Sequence, residues 1–356
     1  MTDNRLHKVS ASLQKMGFEP VLIGRLLTES QPVTRSYQIH RMKLMFRKGP
    51  LFYLEYNLRL FFHLVTSDYS VMVANDLDTL PANYLASRIR RKPLIYDSHE
   101  YFTEVPELIG RPLVRGIWTG LEKILVPRVN AAYTVCDSIA EVYRELYGVD
   151  FKVIRNLPVC SSKEIDLPED TPRVDEPKII LYQGALNLGR GIESAIRAMQ
   201  YLDGAELWLA GDGDLTLQLK KMVAELELEP KVKFLGRLPL GELCRVTRKA
   251  SLGISLEEDL GLNYRFALPN KLFDYIQAGV PVLVSNLPEM RRIVDNYQIG
   301  AIAHTHQRKD LAEIMKVSLF DQEKIDIWKQ NLPRAARELC WENEEIILRQ
   351  VYSRYF

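Results

Sequence analysis

The chain has 356 residues, 47% of them hydrophobic, and its 47 basic and 46 acidic side chains leave a formal charge of +1. That length fits about two domains, with enough apolar material for two cores. The charge balance argues against a general nucleic-acid binder, and no apolar run approaches the ~18 residues of a membrane-spanning helix.

Thr2-Asp3-Asn4 reads as the cap region of a first helix running to about Met16, and the next strand follows Gly17. Short β-rich runs then alternate with helical periods, the pattern of parallel sheets covered by helices on both faces. Strands are expected at 20–23, 71–74, 94–96, 132–135 and 152–154 in the first half. In the second half they are expected at 179–182, 207–210, 232–235, 252–255, 282–285 and 301–302. Between the halves, 161–177 is rich in Pro, Asp and Glu and reads as a linker. From about Asp321 the chain is helical by period, with Trp328, Leu332, Leu339, Trp341, Ile346, Ile347 and Val351 as apolar positions. A Rossmann-like half normally opens on an apolar strand at the centre of its sheet, and none precedes the first helix here. Either the chain is shortened at its start or another segment fills that place.

Cys136, Cys160, Cys244 and Cys340 are scattered without zinc or paired-redox spacing, so four reduced thiols are expected. The opening residues carry no signal peptide. A cytoplasmic protein follows from this reading, with any membrane contact peripheral.

Residues 254–286 carry the densest signal. Glu257-Glu258-Asp259 with Gly261 makes a polar turn after an apolar run, and Pro269 stands where a helix can start. Lys271 to Ala278 is the helix, Gly279 stops it, and 280–284 is a buried strand. Asn270 and Lys271 at that helix N-terminus can hold an anion with the unpaired amides. Asp274 lies one turn further, where a carboxylate can accept two hydrogen bonds from a ribose diol. This arrangement resembles the donor site of the retaining GT-B glycosyltransferases of the "group 1" type, with their Glu-x-x-Gly loop, Pro-(Ser/Asn)-Lys helix start and Gly-x-Pro-Val strand.

The resemblance implies two Rossmann-like domains facing across a cleft. They would be an acceptor-side domain over 1–165 and a nucleotide-sugar domain over 166–335, with a last helix over 336–356 crossing back to the first. It implies further roles residue by residue. Gly184 permits a tight turn after a strand, and Arg190 stands at the entrance of the following helix, where a pyrophosphate is favoured. Relatives usually carry an Arg after that first Gly, and this chain has Ala185. Phe234-Leu235-Gly236-Arg237 matches a loop that holds the base. Gly211 and Gly213 lack the third Gly of a dinucleotide fingerprint. Glu258, on the Glu-x-x-Gly match with Gly261, is expected to contact the sugar together with the Gly261 and Leu262 amides. The two acidic positions, Glu258 and Asp274, lie further apart than in many relatives, so 262–268 is expected to form a longer lip over the donor sugar.

In the first half, His99 and Glu100 follow a strand directly, at the edge where ligands bind in such sheets. Relatives have a His there facing the donor sugar, which makes His99 the catalytic candidate with Arg190 and Lys271. Asp76 and Asp78 end another strand on the same edge and join Glu100 as acceptor-side candidates. No cluster has metal spacing, and no metal or cofactor is implied. Arg35, Arg41, Lys43, Arg47 and Lys48 lie among Tyr37, Met42, Met45, Phe46, Leu51, Phe52 and Tyr53, with no acid between Glu29 and Glu55. That stretch suits either an anionic membrane surface or a strand and buried helix with solvated cations.

The function expected is transfer of a sugar from a nucleotide sugar, with a UDP-sugar as the working donor, to a hydroxyl of a saccharide or lipid-linked acceptor. Retention and independence of metal are part of that expectation. A nucleotide-sugar epimerase of the same fold and a non-catalytic sugar-nucleotide-binding protein are the alternatives.

Overall fold

The computed structural model describes residues 4–27, 33–108, 110–160 and 177–355. They form two units, one of residues 1–156 with 341–356 and one of 157–340. These joints stand beside the expected 165 and 335. Residues 161–176 of the expected linker over 161–177, and the expected cap residues Thr2 and Asp3, lie outside the described residues.

The first unit opens with helix α1 (Asn4–Lys15) and strands β1 (Val21–Leu26) and β2 (Gln38–Lys43). Helix α2 (Pro50–Thr66), β3 (Met72–Asn75), α3 (Leu80–Arg90), β4 (Leu94–Ser98) and α4 (Pro112–Leu125) follow. Strand β5 (Ala131–Thr134), α5 (Asp137–Tyr147) and β6 (Lys152–Val153) complete this run. The parallel sheet comes in two pieces, a β1-β2 pair and a four-stranded β3-β4-β5-β6 sheet. Among the described residues no strand bonds β1 to β3, which is where the opening strand of a Rossmann-like half would lie. Strand β2 lies in the basic stretch for which a strand followed by a buried helix was one of the two readings. Its sequence, QIHRMK, is polar at four of six positions, and only Met42 is fully buried.

The second unit is a complete doubly wound domain. Its elements are β7 (Lys178–Gln183), α6 (Ile192–Ala198), β8 (Ala205–Ala210), α7 (Thr216–Glu225), β9 (Val232–Gly236) and α8 (Leu240–Lys249). Then come β10 (Leu252–Ser255), α9 (Leu262–Arg265), α10 (Asn270–Gln277), β11 (Val282–Ser285), α11 (Pro288–Tyr297) and β12 (Gly300–Ala303). Helices α12 (Arg308–Phe320) and α13 (Gln322–Glu338) close it. All six strands are parallel in the order β12-β11-β10-β7-β8-β9, so the winding reverses between β7 and β10. Ligands bind at the carboxyl ends of strands at such a switch point. Both faces are covered, one by a cluster including Ile196, Leu219 and Met315, the other by one including Phe273, Ile293 and Leu332.

The helical stretch after Asp321 is two helices, because the chain breaks at Leu339-Cys340. Helix α14 (Trp341–Tyr352) belongs to the first unit, where Trp341, Leu348 and Tyr352 pack with Val9 and Leu13 of α1 and with Ile95 and Tyr133 of the sheet. Trp341 Nε1 donates to Ser12 Oγ at 2.9 Å. Of the expected apolar positions, Ile346 is exposed instead.

Candidate functional site

Strands β7 and β10 end side by side at the switch point, and each feeds a loop that can approach the other only through glycine. A Cβ on Gly191 would lie 2.0 Å from the Leu256 carbonyl oxygen, and its φ of +66° is itself a glycine conformation. A Cβ on Gly211, after β8, would lie 1.8 Å from the Gly184 carbonyl. These close approaches press residues 184–191 against 256–264 and bring Arg190 beside the loop that carries Glu257.

Glu257 is the centre of this site. It is fully buried, and Lys271 Nζ lies 2.8 Å from Oε1. Ser255 Oγ donates to Oε2 at 2.7 Å, and Arg190 lies 3.6 Å from Oε1. Burial alone would raise the Glu257 carboxyl, but Lys271 and the Ser255 hydroxyl, with Arg190 behind them, bring it below its ordinary value. Lys271, just inside α10, is lowered by burial despite the carboxylate. Its ammonium sits 4.0 Å above the Tyr182 ring, and Arg190 lies 5.9 Å from the Tyr264 ring. Two cations therefore share one carboxylate, and the arrangement carries a surplus positive charge.

The other expected donor residues surround it unevenly. Of the two adjacent carboxylates the inward one is Glu257, not Glu258. The Glu258 backbone N–H donates to the Gly189 carbonyl at 2.9 Å while its side chain stays half-buried. Asp274 Oδ2 accepts from Gln183 Nε2 at 2.9 Å, and Gln183 Oε1 accepts from Thr247 Oγ1 at 2.8 Å, so the carboxylate is aimed from behind. The expected lip contains one helical turn, α9, begun at Gly261, with Leu262 in it and Arg265 paired to Asp259 at 2.8 Å. Gly184 bends away from β7 at φ +131°, and Asn270 opens α10 on the exposed side. Arg237 is well exposed, 3.7 Å from Asp212.

The first unit gathers its candidates at the ends of β3 and β4. His99 Nε2 lies 3.1 Å from Asp97 Oδ2, and Nδ1 lies 3.5 Å from Asp76 Oδ2. Asp76 adopts a left-handed backbone, φ +62°, which turns its carboxylate so that Oδ1 accepts the His99 backbone N–H at 2.8 Å. Behind Asp97 stands Arg5 of α1, buried, donating to Asp97 Oδ1 at 2.7 Å and to the Ile154 carbonyl at 2.6 Å. Burial would raise Asp97 and lower His99, but the ion pairs win. Asp97 is held down at about 2 by Arg5 and His99, and His99 is raised to about 9 by Asp97 and Asp76. At neutral pH His99 is therefore an imidazolium that can donate a proton but not take one. Asp76 is raised by burial, and Asp78 is raised by burial and then by Asp76 to about 7. Glu100 stands half-buried beside them, its carbonyl accepting from Ser98 Oγ at 2.8 Å.

Sequence reasoning missed Glu257, Gln183, Asp97 and Arg5. Gln183 and Asp97 end strands β7 and β4, positions that already point to a site. Arg5 and Asp97 are 92 residues apart, and only the fold brings them together.

Comparison with known proteins agrees with the folds of both units. Residues 3–158 match the model of Glycosyltransferase Family 4, and residues 164–334 match that of Glycosyl transferases group 1. Over 125 residues the chain is 30% identical to an uncharacterized glycosyltransferase, MJ1607, of Methanocaldococcus jannaschii, covering 34% of this chain and 30% of that relative. Among solved structures, sucrose-phosphate synthase from Thermosynechococcus elongatus superposes with a TM-score of 0.77 at 17% identity, covering 98% of this chain and 92% of that one. Anabaena HepE in complex with UDP-glucose gives 0.70 at 17% identity, over 89% and 86%. WaaG, a glycosyltransferase of lipopolysaccharide biosynthesis, gives 0.69 at 13% identity, over 98% and 95%.

Proposed function

We propose that this chain, a glycosyltransferase of the GT-B fold, moves a sugar from a nucleoside diphosphate donor to a hydroxyl of a saccharide or lipid-linked acceptor with retention of the anomeric configuration. The observation that carries the reading is the surplus positive charge of Arg190 and Lys271 on the single buried Glu257, at the switch point of the second sheet. As the bond from the anomeric carbon to the diphosphate oxygen breaks, negative charge builds on the leaving group. Cations already fixed in a partly desolvated site stabilise that charge without reorganising. This is the role of the two cations in the proposal, and it makes a metal ion unnecessary for the step.

Asp274, aimed by Gln183, takes the ribose hydroxyls, and the Gly261-Leu262 turn with Glu258 adjoins the sugar. HepE holds UDP-glucose, which favours a UDP-sugar here. Asp76, Asp78 and Glu100 serve the acceptor side, and His99, held between Asp97 and Asp76, is the catalytic candidate of the first unit. Peripheral contact with an anionic membrane suits a lipid-linked acceptor.

Calorimetric titration with UDP, GDP and ADP, followed by incubation with matching nucleotide sugars and anomer-resolved NMR of the product, tests this. The expected result is preferred binding of UDP, turnover that persists in EDTA, and a product with the donor's configuration. If no nucleoside diphosphate binds, or an epimer of the donor forms without acceptor, the reading fails.

A further inference from the structure

Sequence spacing keeps the four cysteines apart, but the fold brings two of them together. The Sγ atoms of Cys160 and Cys340 lie within 4.8 Å of one another. Both belong to the second unit, Cys160 close behind its first residue, Leu157, and Cys340 as its last. The backbone beside each is anchored. Leu157 is fully buried in the same core cluster as Leu332 and Ala335 of α13 and Leu339 just beyond it. Gln277 Nε2 of α10 donates to the Ala336 carbonyl at 2.7 Å and to that of Leu339 at 3.2 Å. The core of the second unit, not a local turn, therefore sets the two sulfurs side by side.

The two thiols differ in access. Cys340 is 2% exposed, at the break between α13 and α14, and its Sγ donates to the Arg337 carbonyl at 3.3 Å. Cys160 is half-buried and lies outside any helix or strand, beside the exposed Val159. A disulfide needs sulfurs about 2 Å apart, so these must close by under about 3 Å. Rotation of the two side chains, with a small shift of the irregular segment at Cys160, supplies a movement of that size.

We infer that Cys160 and Cys340 form a dithiol modification site, which a small-molecule disulfide such as oxidised glutathione converts to an intramolecular disulfide. The more accessible thiol reacts first. The Cys160 thiolate attacks one sulfur of the reagent, forming a mixed disulfide and releasing one thiolate. Cys340, after giving its proton to water, attacks the Cys160 sulfur and displaces the bound half of the reagent as a second thiolate. The two cysteines lose two electrons and two protons, and the reagent is reduced to two thiols. The bond joins the two ends of the second unit, so the loop it closes holds nearly all of that unit, and long loops gain most from closure.

The experiment treats the folded full chain with glutathione disulfide, alkylates the remaining thiols in denaturant, and maps peptides by mass spectrometry without reductant. Expected are a cross-linked peptide pair joining Cys160 to Cys340, alkylated Cys136 and Cys244, and a melting temperature raised by about 5–10 °C. Dithiothreitol should reverse both the cross-link and the rise. Cys160→Ser should melt like reduced wild type and show neither, and Cys340→Ser should stop at a glutathione adduct on Cys160. Four alkylated cysteines in the treated wild type overturn the inference, as does a Cys160 adduct that never resolves or a covalent dimer through it. Stoichiometric zinc in the purified protein, lost in Cys160→Ser, would also overturn it and assign the pair to a metal. Neither nucleotide binding nor turnover enters the readout, so the outcome is separate from that of the proposed function.

Discussion

Both units bury a carboxylate between two cations, Asp97 between Arg5 and His99 in the first and Glu257 between Lys271 and Arg190 in the second. In the first unit His99 has a further carboxylate, Asp76, on its other ring nitrogen, so positive charge is matched and little is left to attract an anion. In the second unit Arg190 stands 34% exposed and shares its carboxylate with Lys271. The same motif is thus closed in one unit and open in the other. Closing it fixes the geometry of a histidine, and leaving it open makes a seat for a diphosphate.

The largest effects should come from breaking either buried pair. Lys271→Ala leaves Glu257 buried with its nearest cation gone and should cost about 3–5 kcal/mol of stability. Lys271→Met with Glu257→Gln removes both charges and should recover most of that loss in thermal melting. Failure of the double change to recover it would mean that Lys271 acts through packing rather than charge. Arg5→Met strands Asp97 in the same way and should destabilise by a similar ~3–5 kcal/mol, but with UDP affinity intact.

The closed motif predicts a pH dependence. His99 is raised from 6.5 to about 9, so its contribution to stability is complete below pH 6.5 and disappears as pH rises through 9. The amount at stake is on the order of 3 kcal/mol. Titration of the His99 ring protons by NMR, with melting curves across that window, checks both parts. A midpoint near the ordinary imidazole value would show that the two aspartates do not hold the ring as described.

Asp274→Asn should have the smallest effect, about 1 kcal/mol in nucleotide affinity, because the amide keeps one acceptor and loses the other. Comparison of UDP with its 2′-deoxy and 3′-deoxy analogues locates the loss. If the wild type does not discriminate against either analogue, Asp274 is not the ribose ligand.

Much of the second unit was legible because its punctuation is local. Pro269 and Gly279 bracket α10, and continuous apolar runs mark β7, β8, β10 and β11. Strand β2 was harder to fix because its polar residues Gln38, His40, Arg41 and Lys43 suit a solvated basic segment equally well, and α9 because one turn after Gly261 is too short to show a period. The site was legible in its cations and obscure in its carboxylates. Lys271 and Arg190 announce themselves by standing at helix starts. Which of Glu257 and Glu258 faces inward depends on the path of the loop after β10, fixed by the close approach of Gly191 to Leu256. Pairings such as Arg5–Asp97 depend on where α1 packs, and no local spacing encodes that.

The difference between the open and closed motifs is tested most directly by calorimetric titration of UDP and of uridine into wild type and Arg190→Gln. The substitution cancels the surplus charge while leaving the buried Lys271–Glu257 pair whole. The account predicts unchanged melting, unchanged uridine binding and UDP affinity lower by about 1.5–3 kcal/mol, roughly tenfold to a hundredfold. UDP affinity equal to that of the wild type in a folded Arg190→Gln protein would contradict it.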